Sequence, residues 1–178
     1  MARYQSKPGS MVIGGFILGA VEALGAFKET GYRILADIGL KDAKMDQMYP
    51  MQIFCDFFES ISSKVGTATL STMGKNVGST FPLPPDVDSA EKILNALDSQ
   101  YKYGTRGLGM DEGWKVKKTG SNSATAVFTG HFPDNFIRGL VESMGRKVTK
   151  SNKFTAAIDS TQPSIDKGEK SVTLLLSW

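Results

Sequence analysis

Residues 115–129 read KVKKTGSNSATAVFT, and this stretch decides the fold class. Two short runs rich in β-branched residues, Lys115 to Thr119 and Ser123 to Thr129, flank Gly120-Ser121-Asn122, the signature of a hairpin. Beyond it, Phe136, Ile137, Leu140, Val141, Met144 and Val148 keep one helical face, with Asp134 as the expected cap. Two further runs alternate with period two: Phe154 to Asp159, and Val172 to Trp178 after a turn at Asp166-Lys167-Gly168.

The first hundred residues read as helices. Apolar residues recur at helical spacing from Ile13 to Ile38, broken near Gly25 and Gly31 and stopped at Gly39. Asp46 to Pro50 is a turn into a third helix, whose Met51, Phe54, Cys55, Phe58 and Ile61 repeat at i, i+3, i+4, i+7 and i+10. Thr67 to Val77 is a fourth helix. Phe81-Pro-Leu-Pro-Pro85 then forces extended chain, and Asp88 with Glu91 has the spacing of a cap opening a fifth helix through Tyr101. The expected fold is therefore α+β: about five N-terminal helices packed on a four-stranded antiparallel sheet, with a helix between its two strand pairs. Residues 1–9, polar and carrying Pro8 and Gly9, read as a flexible arm, and 10–178 as a single domain.

Composition narrows the chemistry. The chain has 178 residues, 40% of them apolar, enough for one core without metal or disulfide staples. Its net charge of +3 is spread out, with short clusters only at Lys115/Lys117/Lys118 and Arg146/Lys147/Lys150, so no nucleic-acid partner is expected. One cysteine, Cys55, and one histidine, His131, cannot form a Cys/His zinc site. No signal-peptide pattern opens the sequence, and the expected compartment is the reducing cytoplasm. Met11 to Phe27, interrupted only by Glu22, lies at the lower limit for a bilayer span and is read as a buried first helix, not a stable membrane insertion. Its Gly15/Gly19 spacing would admit another helix closely, and the Gly14/Gly15/Gly19 face would serve a homodimer.

Several local patterns carry a family resemblance. Gly15-Phe-Ile-Leu-Gly-Ala-Val-Glu-Ala-Leu24, Ile38-Gly-Leu40, Tyr49-Pro50 and Met73-Gly-Lys-Asn-Val-Gly78 resemble the helical part of the haem-nitric-oxide-binding (H-NOX) fold and its haem-free relatives, the 4-vinyl reductase domains and TRAPP core subunits. His131 to Glu142 and the closing Val172 to Trp178 resemble the 4-vinyl reductase type more closely. The resemblance implies a pocket for haem, an aromatic effector or an acyl chain. Asp98 stands where H-NOX proteins place the haem-ligating histidine, and no Tyr-x-Ser-x-Arg propionate clamp is visible, so haem is not expected. Ser160, Thr161 and Ser171 stand where many 4-vinyl reductase domains carry zinc-binding cysteines, so no metal is expected either.

Phe16, Phe54, Phe57, Phe58, Phe81, Met48, Met51 and Met73 are the apolar residues that would enclose a cavity, or fill it themselves. The expected ligand-binding residues are Tyr49, Phe54, Phe57, Phe58, Met73, His131 and Arg138, with Tyr49, His131 or Arg138 as polar anchor; no catalytic residue is expected. His131, at a strand-to-helix turn, reads first as a cap for backbone groups and second as a functional group, and Cys55 as a small buried hydrophobe. Three readings of function remain open. One is a non-enzymatic sensory domain holding a small hydrophobic molecule and acting through a protein partner or a second copy of itself. The others are an assembly subunit resembling TRAPP core proteins and a tetrapyrrole-binding or accessory protein.

Overall fold

The computed structural model describes residues 3–178. It contains six α-helices and two antiparallel sheets among these residues, the α+β arrangement expected, with five helices before Gly104 and the sixth between the two strand pairs of the larger sheet. The larger sheet is built from β4 (Gly113–Gly120), β5 (Ser123–Thr129), β6 (Thr155–Ile158) and β7 (Ser171–Ser177), in the order β4-β5-β7-β6. Its register runs Trp114–Phe128–Val172, then Val116–Ala126–Leu174–Ile158, so these side chains share the face turned to the core. Helices α5 (Ala90–Tyr103) and α6 (Asp134–Thr149) pack against that sheet, one touching β4 and the other β6.

A smaller sheet has no counterpart in the sequence expectation. Strands β1 (Met11–Ile13), β2 (Met48–Pro50) and β3 (Thr105–Arg106) pair as β2-β1-β3, with Val12 opposite both Tyr49 and Thr105. This clasp holds together the starts of α1 (Gly14–Glu22) and α3 (Met51–Lys64) and the end of α5. The two helices expected between Ile13 and Gly39 are present as α1 and α2 (Lys28–Asp37), but the first is shorter than Met11 to Phe27: strand β1 precedes it and a 3-10 turn follows it. Gly39 closes α2 in the left-handed region, with φ of 93°. Among the described residues no helix is long and apolar enough to cross a membrane.

Within the chain, the glycines of α1 meet a loop and not another helix. Gly14 is buried, the position of its missing Cβ filled by the Lys44 carbonyl, and Gly19 faces open space. Close helix approach occurs instead between α4 (Thr67–Thr80) and α6, where Gly74 and Gly78 meet the α6 backbone and Gly139 meets that of α4. Two caps also differ. Ser89, not Asp88, caps α5 by accepting from the Lys92 amide at 3.3 Å, while Asp88 pairs with the Lys92 ammonium at 2.8 Å. Asp134 opens α6 without capping it; its carboxylate accepts from the Ser164 hydroxyl at 2.5 Å and the Ile165 amide at 3.0 Å.

Residues 3–9 do not hang free, which corrects the expected arm; residues 1 and 2 lie outside the described residues. Tyr4 is 1% exposed, its hydroxyl donating to Asp166 at 2.8 Å, and Gln52 accepts from the Ser6 amide at 2.9 Å.

Candidate functional site

Between α1, α5, α6 and the larger sheet lies a cavity of about 440 Å³. Phe16 enters from α1, Leu97 and Tyr101 from α5, Trp114 and Phe128 from the sheet, and Phe136, Leu140 and Met144 from α6. Phe54 of α3 and Phe132, at the corner before α6, close the inner side, their rings edge to face at 5.2 Å. The helical periods of α1, α5 and α6 and the two-residue period of β4 and β5 point these residues inward together. No charged side chain, imidazole or thiol is among the lining residues. Such a wall binds by removing apolar surface from water, with a few neutral polar groups to orient the guest.

The structure separates the seven residues expected to share a site. Phe54 alone of them lines the cavity. Phe57, Phe58 and Met73 are fully buried and belong to the solid core, Phe57 reaching toward Gly31 of α2; Phe58 lies 4.5 Å from Phe54 and 4.8 Å from Phe136, ring centre to ring centre. The Tyr49 hydroxyl accepts from the Lys44 amide at 2.8 Å, so it holds the loop against α1. Arg138 donates to the Ser71 hydroxyl at 2.7 Å, tying α6 to α4. Of the wider apolar set, Phe16, Phe54 and Phe81 line the cavity, whereas Met48 and Met51 do not.

His131 faces the other way. Its Nε2 lies 3.2 Å from Glu112 Oε1, and both residues border an open polar cleft walled by residues 3–7 and the 165–170 loop. Cys55 is buried, and desolvation pushes its thiol up to about 12, which leaves an inert small hydrophobe. The residues that sequence reasoning misses are Tyr101, Trp114, Phe128, Phe132, Phe136, Leu140 and Met144. In the sequence most of them stand only as members of an apolar pattern, and the convergence of four elements is what makes them a site.

Comparison with solved structures finds H-NOX domains. An oxygen-binding H-NOX domain related to soluble guanylate cyclases, solved as its oxygen complex, superposes with a TM-score of 0.64 at 11% identity, covering 92% of this chain and 93% of that one. The fold is H-NOX-like. A structure solved for the molecular mechanism of H-NOX activation gives 0.64 at 12% identity, covering 91% of this chain and 94% of that one. The Fe(II) unliganded H-NOX protein from K. algicida gives 0.60 at 12% identity over 92% and 95%. No protein-family model and no curated protein matches the chain. These likenesses bear on the H-NOX part of the resemblance; the 4-vinyl reductase and TRAPP parts rest on the sequence patterns.

An H-NOX-like fold implies haem, and the donor set tests that. The heteroatoms on the lining are the thioethers of Met45 and Met144, the phenols of Tyr101 and Tyr103, and the side chains of Thr80, Gln100 and Trp114. Histidine and cysteine, the commonest axial donors, are not among them, and no cation lines the wall to meet propionates. Burial, then the Glu112 charge, push the Tyr101 phenol up, so at neutral pH it is a hydroxyl and not a phenolate ligand. Asp98 is committed elsewhere: it accepts from the Trp114 amide at 2.8 Å and pairs with Lys102 at 2.7 Å. Among the described residues no three His, Cys, Asp or Glu side chains group as a metal site. This donor set does not fit a haem held through histidine or cysteine.

Proposed function

We propose that this chain is a non-enzymatic, haem-independent sensory domain that holds a small hydrophobic molecule in the cavity between its helices and its sheet. The observation that carries it is the wall itself, mostly aromatic and aliphatic and without a charged side chain. The likeness to an oxygen-binding H-NOX domain supports a ligand-binding role without naming the ligand. A protein partner, or a second copy, reads occupancy through the outer surfaces of the elements that line the cavity. No side chains are arranged for nucleophilic catalysis around it.

Native mass spectrometry of the purified protein, beside its denatured spectrum, tests this directly. An added small mass that is lost on denaturation supports the reading and gives the ligand's mass. A ligand-free oligomer, together with no change in Trp114 emission across a panel of hydrophobic molecules, overturns it in favour of an assembly subunit.

A further inference from the structure

The wall of the cavity changes character with depth. Phe54, Phe128, Phe132, Phe136, Ile137 and Met144 are buried, and the side-chain heteroatoms on the buried wall are the Met144 thioether, a weak acceptor, and the Tyr101 hydroxyl. That hydroxyl has almost no accessible surface and no partner, so it is shut off from solvent and cavity alike. Met45, Thr80, Pro82 and Tyr103 line the same cavity but are exposed, Tyr103 to 70%. They gather round Phe16. Its ring occupies the place of a Cβ on Gly104, next to Tyr103, and meets Phe81 edge to face at 6.2 Å; the amide of its neighbour Gly15 donates to the Met45 carbonyl at 2.8 Å. This is the mouth of the cavity, and polar groups stand at it. The Thr80 hydroxyl donates to the Asn76 carbonyl at 3.0 Å and keeps its lone pairs for water or a guest, Tyr103 carries a phenol, and Gln100 presents an amide one turn before it on α5.

A polar group carried to the buried wall gives up its water and meets nothing that replaces it. The same group at the mouth stays hydrated and can also reach a hydroxyl or an amide. An apolar body gains by the opposite placement, since depth is where it leaves water most completely. The wall therefore sorts a guest end for end.

Resting on the proposed function above, we infer that the ligand is an amphiphile: its apolar body fills the buried part of the cavity, and its one polar end, charged or not, stays in water at the mouth, where Thr80, Gln100 and Tyr103 stand. Affinity comes from the body, and the polar end fixes which way round the molecule lies.

Four probes sharing one ten-carbon chain test the orientation: decanol, decanoate, decyltrimethylammonium and 1,10-decanediol, each below its micelle concentration. Binding is read from Trp114 emission in a Trp178→Phe background, because Trp178 stacks on Phe154 and is not a cavity residue. The three single-headed probes bind within about tenfold of one another, because each head keeps its water, whereas the diol, which must bury a second hydroxyl without a partner, binds about tenfold more weakly than decanol. Tyr103 is exposed, so charge is placed at the mouth without disturbing the core. At low salt Tyr103→Lys tightens decanoate and weakens decyltrimethylammonium by about threefold each, Tyr103→Glu does the reverse, and decanol does not distinguish the two variants. If the charged heads are refused, if the diol matches decanol, or if the two Tyr103 variants treat the charged heads alike, the orientation is overturned while the cavity stands. If no probe binds, the cavity reading itself falls and takes this inference with it.

Discussion

Gly74 and Gly139 let α4 and α6 touch backbone to backbone: the place of a Cβ on Gly74 is taken by the Phe136 carbonyl, and that of one on Gly139 by the Ser71 carbonyl. Neither obstacle is the end of a flexible side chain, so a methyl group there forces the helices apart. Gly74→Ala is expected to cost about 1–3 kcal/mol, overpacking outweighing the gain in helix propensity. Gly19→Ala, in α1 with nothing within 4 Å, is expected to gain up to about 1 kcal/mol. Urea denaturation of the two variants checks the opposite signs.

The phenylalanines of α1 and α3 divide between lining and packing. Phe58→Ala removes a fully buried ring among Phe54, Phe132 and Phe136 and is expected to cost about 3–5 kcal/mol. Phe16, partly buried and at the cavity wall, costs less when truncated but shifts the affinity for hydrophobic probes. Equal stability losses in the two variants would contradict the division.

How far this was legible in the chain follows from length and distance. Strand β5 alternates over seven residues and β7 over its second half, which suffices to read a sheet. Strands β1, β2 and β3 have three, three and two residues, too few for a period, and exist because distant segments pair. The same holds for the site. Phe54 and Phe58 lie four apart on one helix and look alike in sequence, yet one borders the cavity and the other the solid core. What separates them is Phe132 and Phe136, far along the chain on and before another helix. Ser89 against Asp88 is a local ambiguity between two good caps.

Burial raises the Asp134 carboxyl above its ordinary range, against the opposing pull of the Ser164 hydroxyl. The native protein therefore holds that proton more tightly than the unfolded chain, and this group's contribution falls as pH climbs from the ordinary aspartate value through the raised one. Ser164→Ala removes the opposing hydrogen bond and raises the carboxyl further. The variant is expected to lose about 1–3 kcal/mol at pH 7, the gap narrowing toward pH 4 as the carboxyl takes up its proton. Denaturation curves at the two pH values read this; a gap that widens on acidification has the wrong sign.

Haemin offers the plainest check on the donor set. Mixed with the protein, it is expected to give no Soret band of a histidine-ligated iron, and His131→Ala to leave the spectrum unchanged, since His131 borders the polar cleft and pairs with Glu112. A six-coordinate spectrum abolished by His131→Ala would place the imidazole at the iron.

The Tyr4 hydroxyl reaches Asp166 across 162 positions of chain, while Gln52 holds the Tyr4 carbonyl and the Ser6 amide. That pin has no docking surface until α3 and the loop before β7 have already met. It belongs to the last step of assembly, after the slow long-range pairings, and contributes little to the folding rate. Its work is to slow the reverse step: strengthening it lengthens the lifetime of the native state without hastening its arrival.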